Sequence, residues 1–130
     1  MIVIDASALL EVLLQTPAAS RIEVRIFSMR ETLHAPHLLD LEIVQVLRRY
    51  AASGDLSEER AQQALSDLSD FPIARYPHDL LLSRMWELRF TVTAYDAAYL
   101  ALAEGLSASF LTRDRRLAAS TGHRATVEVF

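Results

Sequence analysis

The chain contains no cysteine, which excludes disulfides, zinc–thiolate centres and thiol nucleophiles at the outset. Lysine is also missing: all 13 basic side chains other than histidine are arginine. That argues against chemistry built on a compact ammonium, such as the grip on a phosphorylated aspartate in receiver domains and related phosphatases. Only 3 glycines and 4 prolines punctuate the 130 residues, and no linker, repeat or low-complexity tract stands out. No apolar run approaches the roughly 20 residues of a membrane-spanning helix. The first apolar run meets Asp5 almost at once, too soon for a secretion leader, so the expected compartment is the cytoplasm and no membrane partner is expected. The net charge of −4 speaks against a generally basic, sequence-blind nucleic-acid binder. It leaves room for a nucleic-acid enzyme with an acidic pocket and arginines around it.

What is present alternates between strand and helix. Ile2 to Ile4 reads as a buried strand and Ser7 to Leu14 as a helix. Pro17 permits a second helix from Ala18 to Met29. Leu33 to Ala35 is a short strand closed by Pro36. A long helix runs from His37 to Ala52, with Ile43, Val46, Leu47 and Tyr50 at helical spacing, and Ser53-Gly54-Asp55 ends it. Ser57 caps a helix to Asp70, with Glu58 and Glu59 placed where the helix dipole favours acids. Ile73 to Arg75 is a strand, and Pro77 leads into a helix through Leu88. Thr93 caps a helix that should stop at Gly105. Ser109 to Thr112 is a strand, Arg115 to Ser120 a short helix, and Thr126 to Val129 a last strand. Such alternation predicts one α/β, Rossmann-like domain over 1–130, a central parallel sheet flanked by helices on both faces.

Four carboxylates fall at the edges of these segments: Asp5, Glu42, Asp96 and Asp114. Asp5 and Asp114 follow strands, at the sheet edge where α/β proteins bind ligands. Each also suits a helix cap, and Thr93 with Asp96 resembles a capping box. Glu42 lies within a helix, sharing a face with Gln45 and Arg49, which alone describes a solvated stripe; Asp40 projects to the opposite side. Capping accounts for the places of three acids but not for all of them being acids. Gathered together, they would repel one another unless they shared protons or held a cation. Mg²⁺ and Mn²⁺ prefer such hard oxygen ligands, and a metal so held activates water against phosphodiesters.

With these residues in view, Met1-Ile2-Val3-Ile4-Asp5-Ala6-Ser7 resembles the opening of PIN-domain ribonucleases, the toxin half of VapBC toxin–antitoxin pairs. The resemblance continues in Leu39-Asp40-Leu41-Glu42 with Leu47-Arg48-Arg49, in Thr93 through Ala103, and in Leu111-Thr112-Arg113-Asp114. It implies a metal-dependent endoribonuclease whose catalytic and metal-binding acids are Asp5 and Asp96, joined by Glu42 and Asp114. The implied cofactor is Mg²⁺ or Mn²⁺. Ser7 and Thr112 match hydroxyl positions that orient the carboxylates. The resemblance also implies an RNA substrate, a homodimer and a cognate VapB-type antitoxin. Two positions depart from the family pattern: Gln45 replaces a frequent Asn, and Arg116 stands where some relatives carry another Asp.

Arg113, Arg115 and Arg116 surround Asp114 and are candidates to grip RNA phosphates, although a solvated helix start explains them too. His34, His37, His78 and His123 lack paired metal spacing and read as structural or surface residues. Trp86 and Phe90 read as core, and Ile22, Ile26 and Phe27 as a partner-facing stripe. Two other functions fit the α/β pattern: a PIN-fold binding module without activity, and an aspartyl-phosphate domain. The second lacks its lysine, and Ser7 stands where its phosphatase signature needs another Asp.

Overall fold

The computed structural model describes residues 1–28 and 30–130. Five strands form one all-parallel sheet: β1 (Ile2–Ile4), β2 (Leu33–Pro36), β3 (Ile73–Tyr76), β4 (Ser109–Thr112) and β5 (Thr126–Val129), in the order β3-β2-β1-β4-β5. The strands match the sequence expectation closely because apolar runs of three or four residues bounded by turns leave few alternatives. Among the described residues seven helices accompany them: α1 (Ala6–Leu13), α2 (Ala19–Ile26), α3 (Leu38–Ser53), α4 (Glu58–Asp70), α5 (Leu82–Glu87), α6 (Ala94–Leu106) and α7 (Arg115–Ala119). From β1 to β3 the chain moves one way across the sheet, and from β3 through β4 to β5 it moves the other. Right-handed crossovers then put α1 to α4 on one face and α5 to α7 on the other.

Ile2, Val3 and Ile4 are fully buried, as are Phe110 and Leu111, because β1 and β4 lie inside the sheet and are covered on both sides. Between them the order of the strands reverses, the switch point at which a crevice opens. Helix α6 crosses β1, β2 and β4, and its seven residues from Ala97 to Ala103 are all buried. Four of those seven are alanine, so the helix backbone approaches the sheet closely. Tyr99 stacks on Phe110 with ring centroids 5.6 Å apart and planes nearly parallel.

Several expectations are corrected. Helix α6 runs through Gly105 to Leu106, and Ser107 takes the left-handed cap at φ 51°; Gly105 keeps an ordinary backbone, so its presence alone did not end the helix. Residues from Pro77 to Leu81 do not start a long helix. A 3₁₀ turn spans Asp79–Leu81, and the His78 ring accepts the N–H of Leu38, serving the start of α3 instead. The second helix ends at Ile26, and its expected terminus at Met29 lies outside the described residues. Ile22 and Ile26 are buried: spaced four apart, they turn inward as α2 packs on α1. Trp86 and Phe90 are not core but 69% and 84% exposed. The short α5 buries the face carrying Leu81, Met85 and Leu88, which leaves Trp86 on the outer side and Phe90 beyond the helix end.

The stacked pair makes the core's weakest tolerance testable. Phe110→Ala should lose about 3–5 kcal/mol of stability, read as a lower midpoint in urea denaturation with an unchanged slope.

Candidate active site

Asp5 follows β1 directly and caps α1 while also facing the switch-point crevice. Its Oδ1 accepts the Ala8 N–H at 3.0 Å and the Ser7 hydroxyl at 2.6 Å, and its Oδ2 accepts the Thr112 hydroxyl at 2.5 Å. Capping and site formation are therefore compatible at this position. Burial raises the Asp5 carboxyl above the ordinary range, opposed by these three hydrogen bonds, and the nearby Asp96 raises it further. The hydroxyls are themselves fixed: Ser7 accepts the Arg113 N–H at 2.9 Å, and Thr112 accepts the Asp114 N–H at 3.0 Å. Ser7 and Thr112 thus tie the end of β4 to the start of α1.

Glu42 projects from the first half of α3. Tyr99 donates its hydroxyl to Glu42 Oε2 at 2.8 Å. Burial raises the Glu42 carboxyl despite that bond, and both Asp5 and Asp96 add to the rise. The phenol of Tyr99 is pushed far up, first by burial and then by Glu42, so it stays a donor. Tyr99 was not among the candidate site residues in the sequence. The available signal was its place three residues after Asp96, the spacing that puts two side chains on one helix face.

Asp96 sits in the first turn of α6, where its N–H donates to the Thr93 hydroxyl at 3.2 Å. Burial raises its carboxyl, and Asp114 contributes to the rise. Asp114 behaves oppositely. It caps α7 and receives Arg116 on both oxygens, Nε at 3.1 Å and Nη2 at 2.8 Å, with the Arg116 N–H at 2.9 Å. That guanidinium holds Asp114 below the usual carboxylate range.

All four acids line one open cleft of about 610 Å³, with Ser7 and Gln45 also on its walls. Arg49 lines it too, so the stripe of Glu42, Gln45 and Arg49 faces the cleft. The Gln45 amide oxygen accepts from Arg48 at 3.1 Å. Arg113 is engaged elsewhere, with Glu11 at 3.4 Å and the Phe130 carbonyl at 2.6 Å. Neither Arg113 nor Arg115 borders the cleft, whereas Arg116 borders an adjoining groove. His34 serves structure, bonding Thr32 and Tyr76, each at 2.8 Å, whereas His37 is exposed. Among the described residues, no three His, Asp or Glu side chains stand close enough to enclose an ion directly. The acids instead line the open cleft from separate elements, offering hard oxygen donors, and among the described residues Asp5, Glu42 and Asp96 have no cationic side chain bonded to them.

Comparison with known proteins places this geometry in context. The PIN domain profile matches residues 2–121. Ribonuclease VapC1 of Mycobacterium tuberculosis is 44% identical over 121 residues, covering 92% of this chain and 90% of that protein. Ribonuclease VapC12 of the same organism is 38% identical over 129 residues, covering 99% and 98%. Among solved structures, PAE2754 from Pyrobaculum aerophilum superposes with a TM-score of 0.71 at 28% identity, covering 99% of this chain and 83% of that one. VapBC2 from Rickettsia felis, solved bound to a DNA fragment from its promoter, gives a TM-score of 0.68 at 14% identity, covering 100% and 99%. That last likeness concerns the fold alone. With the profile and close relatives spanning nearly its whole length, the chain belongs to the PIN-domain family, among the VapC ribonucleases.

Proposed function

We propose that this chain is a single PIN domain over 1–130 that acts as a divalent-cation-dependent endoribonuclease, the cytoplasmic toxin of a VapBC pair. The observation that carries the reading is the convergence of Asp5, Glu42, Asp96 and Asp114 on one cleft from four separate segments. Burial and mutual repulsion raise the first three, a state that a cation in the cleft would relieve. Mg²⁺ keeps several of its waters and needs only one or two carboxylates directly, so an open cleft lined by acids suits it better than a closed cage would. Asp5 and Asp96 are the residues we assign to direct contact, with Glu42 and Asp114 acting directly or through water. Mn²⁺ suits the same donors.

Bound there, such an ion would supply Lewis acidity toward a phosphoryl oxygen and a water acidic enough to attack phosphorus. The chain's own residues supply position. Ser7, Thr112 and the Ala8 N–H fix both oxygens of Asp5, so its carboxylate does not rotate away when substrate enters. Tyr99 fixes one oxygen of Glu42, a residue that lines the cleft. Arg116 shields Asp114 and keeps it ionised. A VapB-type antitoxin and a second copy of the chain are the partners this reading expects. The exposed Leu41 and Tyr95 on the cleft give them apolar surface to cover.

Cleavage of RNA in Mn²⁺ is the direct test. Asp96→Ala and Asp5→Asn should each reduce the rate by more than about a hundredfold, beyond what outer-sphere changes cost a metal site. A rate equal to that of the unaltered protein in both variants would remove the nuclease assignment.

The charge state yields a second test. In metal-free protein, Asp5, Glu42 and Asp96 have carboxyls raised by folding. Their stabilising contribution is complete below the unfolded-state range and is lost as pH rises through their folded values. Asp114, Glu104 and Glu128 are lowered by arginines, so their contribution appears above that range and is lost on acidification. Asp96→Asn should therefore raise the melting temperature at pH 7 in EDTA, and the gain should shrink as the pH falls to about 4, near the ordinary aspartate pKa. Adding Mn²⁺ at pH 7 should stabilise the unaltered protein more than the variant, as thermal melts would register.

A further inference from the structure

Beside the acidic cleft lies a second groove of about 560 Å³ that shares Asp96 and Asp114 with it, so the two are continuous. Its other walls carry Arg89, Phe90, Thr93 and Arg116. Nothing in the proposed chemistry uses Arg89 or Phe90. The Arg89 guanidinium lies over two rings, 4.2 Å from the centre of Phe90 and 4.6 Å from that of Trp86, and Nη1 donates to the Trp86 carbonyl at 2.8 Å. Phe90 nonetheless remains 84% exposed.

The turn that presents this pair is held firmly. Leu88 is 2% exposed, and its carbonyl accepts the N–H groups of Thr91 and Val92. Arg84 in α5 forms a two-pronged bond to Glu104 in α6 at 2.7 and 3.1 Å and donates to the Gly122 carbonyl at 2.9 Å. An aromatic face and two guanidinium groups are thus displayed from fixed backbone beside two of the four acids. Arg116 uses Nε and Nη2 on Asp114, which leaves Nη1 of a side chain 91% exposed to meet an anion.

We propose that this groove is a nucleotide subsite. Phe90 stacks a base of single-stranded RNA next to the phosphate being cut, while Arg89 and Arg116 hold the neighbouring phosphates. Unpaired bases stack on aromatic and guanidinium planes whatever their sequence, and arginine binds phosphate with a planar fork of donors. The sign of the charge separates the two regions: the acids need a cation between them and RNA, whereas the arginines attract the backbone directly. Single-stranded RNA suits this combination better than an apolar protein segment, which would leave the Arg89 guanidinium without a counter-charge and the Nη1 of Arg116 without an acceptor. The subsite rests on the ribonuclease reading above and adds to it a binding residue, Phe90.

The test uses the full chain and a randomised single-stranded RNA pool. Affinity is measured in protein silenced by Asp5→Asn, with Mn²⁺ present, through the emission of Trp86, the only tryptophan. Adding Phe90→Ala to that background should weaken RNA binding about tenfold, within the range of one lost base stack, and Phe90→Tyr should bind within about twofold, since its ring preserves the stacking face. In otherwise unaltered protein, Phe90→Ala should raise KM while kcat stays nearly constant, and melting should be unchanged because the ring is exposed. Cleavage by the unaltered protein together with unchanged affinity and KM in Phe90→Ala would overturn the subsite and leave the nuclease standing. Unchanged affinity with an altered oligomeric state would also overturn it, making the patch a contact between copies. Unaltered protein that neither binds nor cleaves RNA would fail at the earlier step, and the subsite would fall with it.

Discussion

The hydrogen bond from the Thr112 hydroxyl to Asp5 joins the two halves of the molecule where the order of strands reverses. A buried carboxylate and a buried hydroxyl each carry a large penalty without a partner. Here each supplies the other's need, and the bond cannot form unless β1 and β4 lie side by side in register. Ser7 and the N–H groups of Ala8, Arg113 and Asp114 extend the same network into the first turns of α1 and α7. The position of the first acid is thereby inseparable from correct folding of the sheet. The remaining acids are placed relative to it, Glu42 through Tyr99 and Asp96 through the packing of α6.

Such an arrangement sets stability against activity. Three acids are held together although burial and their neighbours oppose their ionisation. Polar atoms that are both buried and unpartnered among the described residues are few, Arg60 Nη1 and His123 Nδ1, and neither lies on the cleft. The strain of the molecule is electrostatic and local to the site. Elsewhere arginine relieves it for several acids: Arg25 joins Glu31 and Glu128, and Arg75 joins Asp40, whereas Asp5, Glu42 and Asp96 have no such partner among the described residues.

How much of this the sequence revealed depended on whether a signal was local. Strands β1 and β4 were readable because a short apolar run followed by an acid and a helix has few other meanings. Three of the four acids were readable because each terminates or opens an element, whereas Glu42 lies inside α3. Tyr99 escaped because its apolar ring fits the core pattern of α6 and only the third dimension brings its hydroxyl to Glu42. Trp86 and Phe90 were misread as core since large aromatics near apolar helical positions usually pack inward. Which face of a six-residue helix turns in is decided by neighbours such as Glu104, far away along the chain. Ile22 and Ile26 were misread in the opposite direction for the same reason: an amphipathic face shows that something will cover it, not what.

The alanine-rich face of α6 has a further consequence. Because four of the seven buried residues from Ala97 to Ala103 are alanine, the depth at which Asp96 sits is governed by side chains that never meet solvent. The spacing of the acids is consequently a dimension of the hydrophobic interior, and one added methylene on a buried alanine of α6 would shift Asp96 without altering a single charged group.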